Sequence, residues 1–241
     1  MTGKIVISIP IELETRQDVA SALLERYGTD YLFMGRIFQS NITDETCQIS
    51  ISAKLNDDEK FAKQDKISRH TLGKVERCRQ IVYLTSTEVG YQTCLMMNKF
   101  AQVFLNIGGV AVNIESSEIA HESSFWLDRY DSPDVFDIYS LYVGLVEGNS
   151  SYFSCGMHNF GKADVSIPLN EDIGLAIYVM NVFNYYRLTE SPILQDGHTF
   201  RPDIESPTYQ LQLVEDDEYE ASSLQYNSLG RWHLNRQEGE G

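Results

Sequence analysis

The chain has 241 residues, of which 42% are hydrophobic, 11% aromatic and 22% charged, with a formal net charge of −16. That apolar fraction can bury a sizeable core, which excludes intrinsic disorder as the default state. The excess of 35 acidic over 19 basic side chains excludes broad electrostatic attraction to nucleic acid.

Residues 4–11 (KIVISIPI) predict a first strand, because their apolar residues soon meet Glu12, Glu14, Arg16 and Asp18 instead of a small-residue cleavage site. Residues 15–27 predict a helix, with Thr15 as N-cap, Asp18 three residues on, and Val19, Ala20, Leu23 and Leu24 on one face. Two strands are expected at Tyr31–Gln39 and Cys47–Leu55. The polar run 56–80 reads as a loop or an exposed helix, and a buried strand is expected at Ile81–Thr85. Residues 90–107 are apolar almost all round, as in a helix packed on several sides, and Gly108-Gly109 supplies its stop. A strand follows at Val110–Ile114, then a short helix at His121–Tyr130 anchored by Phe125 and Trp126.

Strands are expected at Tyr139–Val146 and Ser151–His158, flanking a turn at Glu147-Gly148-Asn149-Ser150, with a brief strand at Asp164–Pro168. Asn170 is the expected cap of a long helix reaching Thr189, with Glu171 and Asp172 placed against its N-terminal dipole. Residues 198–236 read as two or three irregular strands around the acidic run 215–218, and 237–241 as a frayed tail. The pattern predicts an α+β protein with largely antiparallel sheet, a few helices packed on it, and a split-βαβ order in its first part. No Pro/Gly/Ser-rich linker divides the chain, so 1–130 and 131–236 are either two α+β parts or one continuous domain. No stretch approaches the roughly 18 uninterrupted apolar residues of a membrane span. With four widely spaced cysteines (47, 78, 94, 155) better suited to free thiols than to a disulfide framework, this points to a cytoplasmic protein.

Charge is distributed unevenly. Residues 1–110 carry 13 basic and 13 acidic side chains, whereas 111–241 carry 6 and 22, so the whole excess lies in the later part. The chain holds 14 tyrosines, among them Tyr178, Tyr185 and Tyr186 on the long helix, a residue type suited to interfaces. An acidic docking face built on Asp216, Asp217, Glu218 and Tyr219 is therefore the first candidate site.

The alternative is an acid–base site assembled from Glu115, His121 and Glu122 with the two turn histidines, His158 and His198. No GxSxG elbow or phosphate loop occurs. Cys155 and His158 form a lone CxxH without a second pair, so no metal or other cofactor is expected.

The segments Tyr139-Ser140-Leu141-Tyr142-Val143-Gly144-Leu145 and Phe153-Ser154-Cys155-Gly156-Met157-His158-Asn159-Phe160-Gly161 resemble the bacterial domain-of-unknown-function family numbered 4261. The resemblance runs through the long helix to Asp196-Gly197-His198-Thr199 and, upstream, takes in Gly108-Gly109-Val110-Ala111-Val112 and Trp126, covering about residues 81–200. It implies a bacterial cytosolic protein and transfers no catalytic residue. Some members resemble small acidic partners found beside secreted toxins.

Together these features lead us to expect a non-enzymatic acidic binding protein, an immunity-type inhibitor that occludes the active site of a toxin encoded nearby. The expected partner is a protein, not nucleic acid or membrane. A hydrolase or transferase using the histidine/carboxylate residues, and a structural subunit of a bacterial assembly, are the alternatives.

Overall fold

The computed structural model describes residues 3–53, 58–62 and 66–237. The expected strand end at Leu55, parts of the polar run after it and the tail beyond residue 237 lie outside the described residues.

The first strand, β1 (Ile5–Ile11), buries all seven residues and is therefore covered on both faces. Helix α1 (Arg16–Tyr27) follows, closed by the capping box expected from sequence. Thr15 Oγ1 accepts from Asp18 N at 3.1 Å, and the Asp18 carboxylate accepts from Thr15 N at 2.9 Å. The single strand expected over 31–39 is a hairpin, β2 (Tyr31–Met34) and β3 (Ile37–Ser40), because Gly35 at φ +64° turns the chain between them. After β4 (Thr46–Ala53), the polar run carries two short helices, α2 (Asp58–Ala62) and α3 (Arg69–Arg77). Next come β5 (Gln80–Ser86), the long helix α4 (Tyr91–Leu105), β6 (Ala111–Ile114) and β7 (Ile119–Glu122).

These seven strands form one antiparallel sheet in the order β2-β3-β4-β5-β1-β6-β7. Strands β5 and β6 both run against β1, which lies between them, and α4 connects them. That is the split βαβ arrangement read from the sequence. Helix α4 packs on β1 and β5, and Gly109 lets the chain turn tightly at its end. A Cβ there would stand 2.8 Å from Ile9 Cγ2 and 2.9 Å from the Phe104 carbonyl. Phe61, Ile67 and Val75 from the α2–α3 region pack with Val110, Ala111 and Ala120 in a smaller cluster.

Two further expected elements are corrected. Residues 121–130 were expected as one helix. Ile119–Glu122 instead pairs with β6 as a strand, and only Ser123–Leu127 is helical (α5). Residues 139–146 were expected as a strand, yet Val135–Tyr142 is helix α6. The Asp134 carboxylate caps it by accepting from Phe136 N at 2.8 Å, and Ile138, Leu141 and Tyr142 form its buried i, i+3, i+4 face. The strand begins only at Gly144.

The second sheet consists of β8 (Gly144–Glu147), β9 (Ser151–Cys155), β10 (Asp164–Pro168), β11 (Thr199–Phe200), β12 (Tyr209–Val214) and β13 (Arg231–Arg236), in the order β11-β12-β13-β10-β9-β8. Its β10–β13 pair is parallel and its other pairs are antiparallel. A 3-10 turn, Met157–Phe160, separates β9 from β10. Between β10 and β11 runs the helix α7 (Ile173–Thr189), which packs on β9 and β10. Asp172, not Asn170, is its N-cap, accepting from Leu175 N at 3.0 Å.

The main core takes Ile138, Leu141, Tyr142, Met157 and Phe160 together with β1, α4 and Trp126, while Val179, Met180, Phe183, Val165, Leu211 and Leu234 anchor the second core. The molecule is thus α+β, with helices on two mostly antiparallel sheets. The four cysteines are buried, and no disulfide joins any of them.

Candidate protein-docking surface

Helix α7 is inverted. Over its 17 residues the one charged side chain is Arg187, and it points inward. Arg187 Nη1 donates to the Ala163 carbonyl at 2.7 Å, Nη2 donates to Asn184 Oδ1, and the guanidinium lies 4.7 Å from the Phe183 ring centroid. Burial lowers the Arg187 pKa to about 10, against the pull of Asp164, so the group is still a cation at neutral pH. Asn184 Nδ2 donates to Tyr139 Oη at 3.2 Å, and the Tyr139 hydroxyl donates to Asn181 Oδ1 at 2.9 Å. The helix's polar groups are therefore used against α6 and β10.

The solvent side is correspondingly bare of charge. Its exposed residues are Ile173, Gly174, Ile177, Tyr178, Tyr185, Tyr186 and Thr189. Positions 173, 177, 181 and 185 form one i, i+4 row and 174, 178, 182 and 186 the next, so the apolar and tyrosyl groups make two adjoining stripes. With Phe136 of α6, itself 41% exposed, these stripes line an open groove of about 620 Å³ in which Ile177, Tyr178, Asn181, Val182 and Tyr185 take part. A second groove, about 770 Å³, lies on the other side of Val182 against Tyr186, Ile193 and Phe200. Two adjoining grooves lined by isoleucine and tyrosine suit protein contact, since each tyrosine offers large apolar area with a polar tip.

The acidic run is placed differently from the open face expected. Its carboxylates gather on Arg231, whose side chain is 5% exposed. Arg231 Nη2 pairs with Asp217, while Nη1 lies 3.8 Å from Asp216 and 3.7 Å from Glu218. The Asp216 side chain is 4% exposed and Glu218 15%, so of the three only Asp217, at 80%, faces solvent. Asp216 Oδ2 also accepts from Asn227 N at 2.9 Å. Tyr219 is half-buried, hydrogen-bonded to Cys155 and edge-on to Phe153, and burial drives both its hydroxyl and the Cys155 thiol well up in pKa. The run works as an internal clasp.

The alternative acid–base residues do not converge. Glu115 Oε1 accepts from Ser8 Oγ at 2.6 Å and its Oε2 pairs with Lys60 at 2.9 Å, beyond the end of β6. Glu122 sits at the other end of that hairpin, pairing in register with Ala111, and caps α3 by accepting from Ser68 N at 2.7 Å and Thr71 Oγ1 at 3.0 Å. These bonds hold its carboxyl below the usual range. His121, on the opposite face of β7 from Glu122, is buried with its Nε2 3.0 Å from the Leu141 carbonyl. His158 is buried in the 3-10 turn, its Nδ1 4.0 Å from Asp164. His198 lies exposed in the turn before β11, three strand spacings (roughly 14 Å) from β10. Among the described residues no group of three His, Cys, Asp or Glu side chains is placed to hold a metal ion, and no helix is long and apolar enough to cross a membrane.

Sequence reasoning singled out the tyrosines of α7 but not Phe136, Ile173 and Ile177 as surface residues. The signal was present: a helix with one charge in 17 residues and apolar side chains at i, i+4 in more than one row. No protein-family model, no curated protein and no solved structure matches this chain.

Proposed function

We propose that this protein is a non-enzymatic binding protein that docks a protein partner through the α6–α7 face, acting as an immunity-type inhibitor that covers the active site of a bacterial toxin. The observation that carries the reading is the solvent side of α7, seven exposed residues without one charge, beside an exposed phenylalanine. A surface helix normally turns a charged stripe to water. One that instead buries its arginine and exposes Ile177, Tyr178 and Tyr185 resembles half of an interface core with a polar rim. The 22 acidic against 6 basic side chains in 111–241 support the inhibitor form of the reading, because such a field speeds encounter with a basic cleft. That field belongs to the whole later part, with Asp216 and Glu218 turned inward. A cytoplasmic location and kinship with the family numbered 4261 belong to the same proposal.

The test places a photo-crosslinking residue at position 177, at 185 and, as control, at the exposed Leu24 of α1, in cells of the native host. The expected result is one protein captured from 177 and 185 and not from 24. Ile177→Asp then weakens the purified complex by about 100-fold, the loss of a central interface contact, without lowering the melting temperature. Equal capture from all three positions, or a complex indifferent to Ile177→Asp, overturns the reading. A structural subunit would use the same face. A stoichiometric complex that silences an enzymatic partner marks the inhibitor, and open-ended assembly marks the subunit.

A further inference from the structure

The groove between α6 and α7 has an apolar floor and an acidic frame. Asp134 lines it at the start of α6, its carboxylate already accepting from Phe136 N. Asp203 reaches the edge from the loop after β11, where its Oδ2 accepts from the Tyr178 hydroxyl at 2.9 Å. Asp172 and Glu190, both exposed, stand at the two ends of α7. Asp137, next to Phe136, is engaged by Arg129 at 3.4 Å. No cation balances this frame from α7, because Arg187 is spent inside the molecule. Arg201 lines the neighbouring groove beyond Val182, with its Nε donating to Thr208 Oγ1 at 3.1 Å.

From this we infer that the occupant of the groove is a cationic amphipathic helix of another protein, its apolar anchors seated on Ile177 and Tyr185 and its Lys or Arg residues on the frame. The inference rests on the reading of this face as a docking surface and adds the chemistry of what docks. A second copy of this chain fits poorly. It would set one acidic frame against another between two molecules each of charge −16, and like charges brought together across an interface oppose association. A helix suits the space because α7 lines the groove from Gly174 to Tyr185, about 16 Å or three turns. Ridges of an incoming helix can settle beside α7 as helices do in a folded core.

A random-peptide phage library selected on the folded full chain supplies the probe, with salt titration of the recovered peptides. The expected peptides carry leucine, phenylalanine or tryptophan one helical turn apart, flanked by lysine or arginine. Ile177→Asp abolishes their binding. The triple variant Asp134→Asn, Asp203→Asn and Glu190→Gln, which keeps the α6 cap, weakens it about tenfold and flattens its salt dependence. Peptides that depend on Ile177 but show no basic bias, or that ignore the triple variant, overturn the cationic occupant while leaving the docking surface standing. Peptides that all ignore Ile177→Asp, or a selection that yields none, overturn both. Concentration-dependent dimerisation in sedimentation that is lost in Ile177→Asp makes a second copy the occupant, and Ile177-dependent uptake onto phosphatidylcholine vesicles makes it lipid. Either result overturns the inference.

Discussion

His121 lies between the ring of Phe125, stacked at a centroid distance of 4.9 Å, and the Leu141 carbonyl, which meets its Nε2 at 3.0 Å. Burial disfavours the imidazolium and lowers the pKa from 6.5 to about 4. The Leu141 carbonyl pulls the other way, and the cations of Lys66 and Arg129 push down as well. A histidine neutral at physiological pH can still hold this carbonyl, provided the proton sits on Nε2. Its consequence for stability has a definite sign. The unfolded chain takes up a proton near pH 6.5 and the folded chain only near pH 4, so stability is complete above pH 6.5 and falls as pH drops from there toward 4. The full loss is roughly 3 kcal/mol. His121→Gln cannot become cationic, and it is expected to flatten the fall in melting temperature across that window. Parallel pH profiles for the two proteins would remove His121 as the cause.

The segment between β12 and β13 is an element held by side chains more than by backbone ladders. Arg231 collects Asp217, Asp216 and Glu218, Asn227 Nδ2 donates to Asp164 Oδ2 at 2.6 Å and to the Lys162 carbonyl at 3.0 Å, and Gln225 Nε2 reaches the Glu115 carbonyl at 2.8 Å. Arg231→Met keeps an apolar side chain of similar length but removes the guanidinium, which lies 5.3 Å from the Phe153 ring centroid, and leaves Asp216 and Glu218 as poorly hydrated carboxylates without their cation. Breaking a buried pair from one side costs about 3 kcal/mol. The expected outcome is that loss in urea unfolding, together with new protease cuts between residues 215 and 230. Unchanged cuts and an unchanged midpoint would mean the clasp is ornamental.

This is also where the sequence stops being legible. A capping box, a strand such as Asp164–Pro168 and the end of α7 at Thr189 are local patterns, and all three are found as read, although α7 starts from Asp172 and not Asn170. Which of four consecutive acids turns inward depends on an arginine more than a dozen residues away, and no local spacing records that. The same holds for α6, whose Tyr139-to-Val146 stretch alternates well enough for a strand. It is helical because Asp134 caps it and because Asn98 waits 44 positions back to accept from the Tyr142 hydroxyl at 2.7 Å. The docking face was half visible. Its tyrosines stood out by number, but that Ile173 and Ile177 face water follows from the sheet claiming the opposite side of the helix.

At the scale of the molecule, the two sheets meet along a seam crossed by specific bonds. Ser116 Oγ donates to Asn159 Oδ1 at 2.7 Å, Gly90 N donates to the Asn159 carbonyl at 2.8 Å, and Tyr139 joins α6 to α7. The main core is completed from across residue 130 by Ile138, Leu141, Tyr142, Met157 and Phe160. Fully burying each such side chain is worth about 2 kcal/mol, so the five together contribute about 10 kcal/mol. That is comparable to the whole stability of a typical domain, about 5–15 kcal/mol. A fragment 1–130 would lose this contribution outright. A fragment 131–241 would keep its second core but present those same five side chains to water. Neither is therefore expected to fold alone: each should lack a cooperative thermal transition by circular dichroism, while the intact chain melts in one step. A sharp transition from either fragment by itself would show that the seam joins two independent domains, and the apolar residues after position 130 would then have to be satisfied within their own half.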